Sequence, residues 1–147
     1  MAIPHHPKFL AAADWSLARG PSQRLVEIYS GWGSSESGNP SAYLASLEKG
    51  LRMGAIGGTD CHIGRPGQGN RTFEGGGLAC ALAKRLSREE IFDALWQRRC
   101  YGTSGARMLM DFRVNGHPMG AELVAQGPLE IQARVVGEGV LESVELV

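Results

Sequence analysis

Asp60 and His62 are the pair of residues whose types and spacing most suggest chemistry. On an extended segment, successive side chains point to opposite faces, so these two would project together while Cys61 projects away. A carboxylate and an imidazole that converge at the end of a strand can hold a divalent cation. The alternative is a turn aspartate beside a surface histidine. Short motifs often arise by chance, so the spacing alone leaves both interpretations open.

A second histidine-containing feature, His5-His6, lies between Pro4 and Pro7 near the start of the chain. The two prolines favour an extended backbone. Adjacent residues on such a backbone face opposite sides, so we expect at most one of the two histidines to be a metal ligand unless the chain turns between them. The alternative is a tag remnant or a loose terminus, although two histidines are too few for a usual tag.

Three other charged residues are candidates for a site. Glu27 interrupts an apolar strand pattern, and a buried carboxylate is costly unless it is paired, hydrogen-bonded or bound to metal. It is therefore either a partner of a ligand histidine, a ligand itself, or an outward-facing strand residue. Arg65 closely follows the Asp60 motif and is suited to an anionic substrate through its bidentate guanidinium. Glu36, in a glycine-rich loop, either reaches the site or faces water.

The elements that would position these residues alternate between strand and helix. Residues 25–29 predict a buried strand, Asn39-Pro40 predicts the start of a helix, and residues 55–60 predict a second strand. The economical connection between such strands is a right-handed parallel crossover. The candidate residues around Asp60 then fall at the carboxyl end of a strand, where α/β folds build their sites.

The later part of the chain has a different pattern. Residues 78–82 predict a strand, and Ser87 with Glu90 has the spacing of a helix capping box. From about residue 107 onward apolar and polar residues alternate around an Asn115-Gly116 turn signal. We therefore predict two parts, residues 1–106 and an antiparallel β-rich segment over residues 107–147.

Composition excludes several classes of protein. With 43% apolar residues the chain can bury a core, and its 15 basic and 15 acidic residues give no electrostatic footprint for nucleic acid or an anionic membrane. We find no apolar stretch of membrane-spanning length. Three widely spaced cysteines argue against a disulfide framework and fit a reducing compartment, so we expect a cytoplasmic protein.

A set of short segments occurs here in the order found in a known group of proteins: residues 3–7, 14–16, 27–30, 33–36, 58–62, 64–67, 91–95, 99–101 and 111–116. Together these segments resemble metal-dependent hydrolases of the PHP (polymerase and histidinol phosphatase) superfamily, of the DUF3604 and CehA/McbA-like kind.

The resemblance implies a distorted TIM-like (β/α) barrel in which histidines and carboxylates at strand ends hold zinc, manganese or iron ions. It implies hydrolysis of phosphoesters or related esters. One of His5 and His6 would be the ligand of the third family motif, and Asp60 and His62 would form the fourth. Asp60 would orient or deprotonate the attacking water, and Arg65 would stabilise the developing anion.

The first two ligand motifs of that family do not occur in this sequence. We therefore expect residues 1–106 to be the C-terminal half of the barrel, because a full barrel usually needs roughly 200 residues or more. A missing N-terminal half-barrel or another chain would supply the rest, and the exposed apolar edges of a half-barrel would favour a homo-oligomer. The expected function is a metal-dependent hydrolase of small-molecule esters or phosphoesters. The alternatives are a non-catalytic, truncated or degenerate piece with weak or no metal binding, and a binding module built on the β-rich tail.

Overall fold

A computed structural model describes residues 1–5, 7–8, 12–17, 20–65 and 76–146. These residues form a mostly β structure with two short helices and three small sheets. In chain order the elements are β1 (Leu25–Ser30), β2 (Gly33–Ser34), α1 (Tyr43–Glu48), β3 (Gly54–Gly57), β4 (Leu78–Ala81), α2 (Arg88–Trp96), β5 (Cys100–Thr103), β6 (Leu109–Val114), β7 (His117–Pro118) and β8 (Ile131–Val136).

The first sheet contains the predicted parallel pair of strands. β1 pairs in parallel with β3 and antiparallel with β2, and α1 lies between β2 and β3 in the chain. The helix begins at Tyr43, later than predicted, because the Asn39 side chain accepts a hydrogen bond from the Ser41 N–H (3.0 Å) and caps a preceding turn instead. The second strand is shorter than predicted and ends at Gly57.

The second sheet is the antiparallel pair of β4 and β5, which α2 connects. The predicted cap of α2 is confirmed, since the Ser87 hydroxyl accepts a hydrogen bond from the Glu90 N–H (3.3 Å). This sheet packs backbone to backbone on the first. A Cβ on Gly57 would lie 2.7 Å from the Leu78 carbonyl oxygen, and one on Gly102 would lie 2.6 Å from the Gly57 nitrogen. Side chains at these positions would force the two sheets apart.

The third sheet confirms the prediction of antiparallel strands after residue 107. β6 pairs with both β7 and β8, and Phe112 lies opposite Ala133. Asn115 and Gly116 have positive φ angles of 50° and 75°, as a type I′ hairpin turn requires. In this sheet β8 pairs only with β6, and five of its six residues are exposed. The sheet therefore has an open edge at β8.

The expected TIM-like half-barrel over residues 1–106 is wrong. Among the strands of the described ranges, β1 and β3 are the only parallel pair, apart from an isolated parallel bridge between Ala2 and Gln23, and no set of strands closes into a barrel. A (β/α) barrel needs each helix to return the chain to a parallel strand, whereas α2 returns it to an antiparallel partner. β1 likewise turns back on itself through β2.

A small core of buried residues holds the first sheet in place. Trp15, Val26 and Met53 form one cluster, and the Trp15 indole donates a hydrogen bond to the Ala42 carbonyl (3.1 Å). The Tyr43 hydroxyl donates to the Met53 carbonyl (2.9 Å), which ties α1 to the residue before β3. These contacts set the positions of β1 and β3, the strands that lead to the candidate site. No helix in the described part of the chain has the length and apolar character needed to cross a bilayer.

Truncating Leu25, which is 0% exposed, should destabilise the fold far more than truncating Leu86, which is 97% exposed. We expect Leu25→Ala to lower the free energy of unfolding by about 2–5 kcal/mol, because it leaves a cavity under β1. The matched Leu86→Ala variant should change it by less than about 0.5 kcal/mol. Urea denaturation followed by circular dichroism measures both values, and equal losses in the two variants would contradict this description of the core.

Candidate functional site

Four of the candidate residues come together beside the parallel strand pair: His5, Glu27, Asp60 and His62. The N-terminal segment runs alongside β1, where the Glu27 N–H donates to the Pro4 carbonyl (3.1 Å) and Ala2 forms a parallel bridge with Gln23. This places His5 next to Glu27. Asp60 follows β3 by three residues, so the loop after one strand meets a side chain of its neighbour.

The His5 imidazole bridges two carboxylates. Its Nδ1 lies 2.5 Å from Glu27 Oε2, and its Nε2 lies 3.2 Å from Asp60 Oδ1. The Glu27 side chain is only 10% exposed, whereas that of His5 is 48% exposed. The buried carboxylate therefore anchors one ring nitrogen and turns the other towards Asp60, as carboxylate partners of ligand histidines do.

Two imidazole nitrogens lie close to the same oxygen of Asp60. The His62 Nε2 lies 3.1 Å from the same Oδ1 atom that His5 contacts. Burial raises the pKa of Asp60, but hydrogen bonds from His62 and Trp32, together with the adjacent His5, outweigh that effect and hold the pKa below its ordinary value. The Asp60 side chain is thus an ionised acceptor at neutral pH, although only 11% of it is exposed.

The backbone brings Asp60 and His62 together in a different way from the one predicted. β3 has ended at Gly57, so the two residues do not lie on an extended strand. Asp60 has a positive φ of 48°, in the left-handed region that aspartate tolerates better than most residues, and a turn follows at His62. The prediction that the two side chains converge holds, but the expected strand alternation is not its cause.

Glycine allows the buried carboxylate to sit against the backbone of the site loop. A Cβ on Gly58 would overlap Oε1 of Glu27. The Gly58 N–H also donates to the Tyr29 carbonyl (2.9 Å), which fixes the start of the loop on β1. A side chain at residue 58 would therefore displace either Glu27 or the loop that carries Asp60.

Two other predicted site residues, Arg65 and Glu36, do not join this cluster. His6 lies outside the described residues. Arg65 is exposed, and within the described ranges no hydrogen bond or ion pair connects it to the cluster. Glu36 is exposed and lies in the turn before α1, where its carbonyl accepts a hydrogen bond from the Leu44 N–H (2.9 Å).

The sequence did not predict a role for Trp32, which contributes to lowering the pKa of Asp60. The available signal was an aromatic residue between two glycines directly after the strand that carries Glu27. This signal is weak, because a single tryptophan in a loop is more often a packing residue than part of a site.

The fit of a metal ion to these residues can be judged from their separations. Two ligand atoms that bind one zinc ion at about 2.0–2.2 Å lie roughly 2.8–3.6 Å apart in tetrahedral or octahedral geometry. The contacts of His5 and His62 with Asp60, at 3.2 and 3.1 Å, fall in this range. In the part of the chain that the structure describes, however, no group of three or more His, Cys, Asp or Glu side chains is arranged as a complete metal site. The pairwise separations suit a partial ligand set.

A family model matches a segment in the middle of the chain. It is that of DUF3604, described as a protein family of unknown function, and it matches residues 67–122. The DUF3604 part of the resemblance is thereby confirmed. The PHP superfamily and the hydrolase activity are not addressed by this match.

Chlamydial proteins are similar over most of the chain. An uncharacterized protein of Chlamydia trachomatis is 30% identical over 85% of this chain and 24% of its own length. Another from Chlamydia muridarum is 30% identical over 80% of this chain and 23% of its own length. A third, from Chlamydia pneumoniae, is 29% identical over 85% of this chain. The chain thus spans about a quarter of the length of these relatives. No solved structure matches it significantly.

Replacing Gly58 with alanine should destabilise the site loop. The new Cβ would collide with the buried Glu27 carboxylate, and overpacking of this kind costs about 1–3 kcal/mol. The control is Gly139→Ala, since nothing lies within 4 Å of a Cβ at that position. Thermal and urea unfolding compare the variants, and a Gly58→Ala protein as stable as the control would refute the close contact.

The Cys100 thiol should be unreactive in the folded protein. Burial, with a smaller contribution from nearby Cys80, raises the pKa of Cys100 to about 11, so little thiolate exists at pH 8. We expect iodoacetamide to label Cys61 well before Cys100, with rapid labelling of Cys100 only after addition of denaturant. Mass spectrometry of the peptides measures this order, and equal rates in the native protein would count against it.

Proposed function

We propose that this chain supplies part of the active site of a metal-dependent hydrolase that acts on phosphoester or related ester substrates. The observation that carries the proposal is the convergence of His5 Nε2 and His62 Nε2 on one oxygen of Asp60. The resemblance to PHP-type metallohydrolases suggests the hydrolytic reaction and zinc, manganese or iron as the metal. The activity is proposed for a protein of the relatives' length, of which this chain covers about 24%.

The residues of this chain would prepare the site in a definite way. The Glu27 carboxylate, which contacts Nδ1 of His5, would hold the tautomer with its proton on Nδ1, and Nε2 would then offer its lone pair to a cation beside Asp60. Asp60 and His62 would provide a carboxylate oxygen and a second imidazole nitrogen. A bound divalent cation would polarise the ester and lower the pKa of a bound water towards neutrality.

Asp60 and Arg65 would act on the substrate side of the reaction. Asp60 is ionised and is therefore able to orient the attacking water or accept its proton. Arg65 lies on the same loop, five residues beyond Asp60, and is exposed to an incoming anion. Its guanidinium would stabilise the negative charge that develops on the ester or phosphoryl oxygens.

Asp60→Asn tests the proposal with little change in shape. We expect the affinity for zinc to fall by about 10-fold or more and hydrolysis of p-nitrophenyl phosphate to be lost in the longer protein, because the amide carries no charge. Asp111→Asn is the control, since Asp111 is an exposed residue of β6 that pairs with Arg113. Elemental analysis and turnover assays measure both effects. Unchanged metal content and turnover in Asp60→Asn would reject the proposal.

The alternative is a non-catalytic protein with weak or no metal binding. It is favoured by the absence of a complete three-ligand group within the described residues. Less than about one bound ion per chain after loading with zinc, together with no hydrolysis by the longer protein, would support this alternative over the enzyme.

A further inference from the structure

Residues from all three sheets and from α1 line a cavity of about 530 Å³. This volume falls within the range of roughly 300–1,000 Å³ that is usual for small-molecule sites. Three side chains that share a face of β6, those of Met110, Phe112 and Val114, form part of its wall. Asp60 and His62 are not among the described residues that line it, so the cavity is separate from the candidate cation site.

Two arginines and one glutamate stand together in the wall of this otherwise mainly apolar cavity. Glu122 Oε2 accepts a hydrogen bond from Arg52 Nη1 (2.7 Å), and Glu122 Oε1 accepts one from Arg98 Nη2 (2.6 Å). Two guanidinium groups and one carboxylate leave one positive charge uncompensated. The charge at the cavity therefore complements an anion, and the group that already joins the two arginines is a carboxylate.

Arg98 is the member of this group that the fold holds in place. Its side chain is only 11% exposed, whereas that of Arg52 is 74% exposed. The Arg98 Nη1 donates to the Arg52 carbonyl (3.2 Å), and a Cβ on Gly54 would lie 3.0 Å from the Arg98 Cβ. The guanidinium is thus oriented by the backbone around it. A donor that is already in position loses little freedom when a ligand binds.

Glu122, in contrast, is held loosely. It lies after β7 in a segment without helix or strand, and its side chain is 53% exposed. Exposed ion pairs of this kind are weak. The carboxylate of an incoming molecule can therefore replace that of Glu122 on the two arginines.

We propose that this cavity binds a small organic acid, a molecule with an apolar body and one carboxylate. The apolar body would lie against the β6 face, since burial of hydrocarbon there removes it from water. The carboxylate would bind Arg98 and Arg52, because a planar guanidinium offers parallel N–H donors to its two oxygens. Glu122 then acts as an internal competitor for the same donors. The proposal does not depend on the candidate cation site.

Isothermal titration of the 147-residue chain with decanoate tests the proposal. We expect saturable binding of one decanoate, and binding about 10–100-fold weaker in Arg98→Met, which loses a charged donor. Glu122→Gln should bind decanoate about 2–5-fold more tightly, because it removes the competitor. Arg85→Met is the matched control and should be unchanged, since Arg85 is also a surface arginine, 79% exposed and 3.5 Å from Glu90.

The methionines report where the probe binds. Met53, Met110 and Met119 line the cavity, whereas Met1 and Met108 do not belong to the described residues of its wall. With ¹³C-labelled methionine methyl groups, decanoate should shift the signals of the first three and leave the other two unchanged. Acetate should produce no comparable shift, because it has no apolar body to bury against β6.

The possible outcomes decide the proposal. No saturable binding, or equal affinities of Arg98→Met and Arg85→Met, would overturn it, as would decan-1-ol binding as tightly as decanoate. If Arg98→Met does not fold, Glu122→Gln decides, since unchanged or weaker binding there contradicts competition by its carboxylate. Loss of decanoate binding in a protein of the relatives' length would show that another polypeptide segment fills the cavity, and would also overturn the proposal.

Discussion

Glu27 places a carboxylate inside the parallel strand pair, and burial of an uncompensated charge there would cost several kcal/mol. Its contact with His5 Nδ1, at 2.5 Å, compensates that charge and at the same time fixes the ring of a residue near the start of the chain. The other ring nitrogen, Nε2, then lies 3.2 Å from Asp60 Oδ1. One buried acid therefore links the N-terminal segment, β1 and the loop after β3, and the arrangement of the site follows from satisfying it.

Close backbone packing is the second constraint, and it explains the glycines around the site. The first and second sheets touch where Gly57 and Gly102 carry no side chains, and Gly58 leaves room for the Glu27 carboxylate. Sheets that approach this closely leave little freedom for the loops at their ends. The site loop therefore contacts both the second sheet and the turn after β1, where a Cβ on Gly31 would lie 3.2 Å from the Thr59 carbonyl oxygen.

The sequence allowed prediction of features that depend on local patterns. The strand around Glu27, the cap at Ser87 and the antiparallel strands after residue 107 all follow from neighbouring residues. The barrel was a wrong prediction, since pairing between distant strands is not encoded in the period of either one. An Asp-x-His spacing occurs both in strands and in turns. The left-handed backbone conformation of Asp60 therefore could not be predicted from this spacing. Strand periodicity likewise left the direction of Glu27 open, because it does not say which face is inward.

The third sheet is attached to the rest of the molecule by few polar contacts. The Tyr101 hydroxyl donates to the Met108 carbonyl (2.7 Å) and accepts from the Met110 N–H (3.1 Å), and Glu122 pairs with Arg98 (2.6 Å). Strands β6, β7 and β8 otherwise associate mainly with one another, with β8 exposed at the edge. The free energy needed to open such a sheet is lower than the free energy needed to open the core. Its amide hydrogens would therefore exchange with solvent deuterium before those of β1 and β3. Breathing of this sheet would leave the His5–Glu27–Asp60 chain of contacts intact.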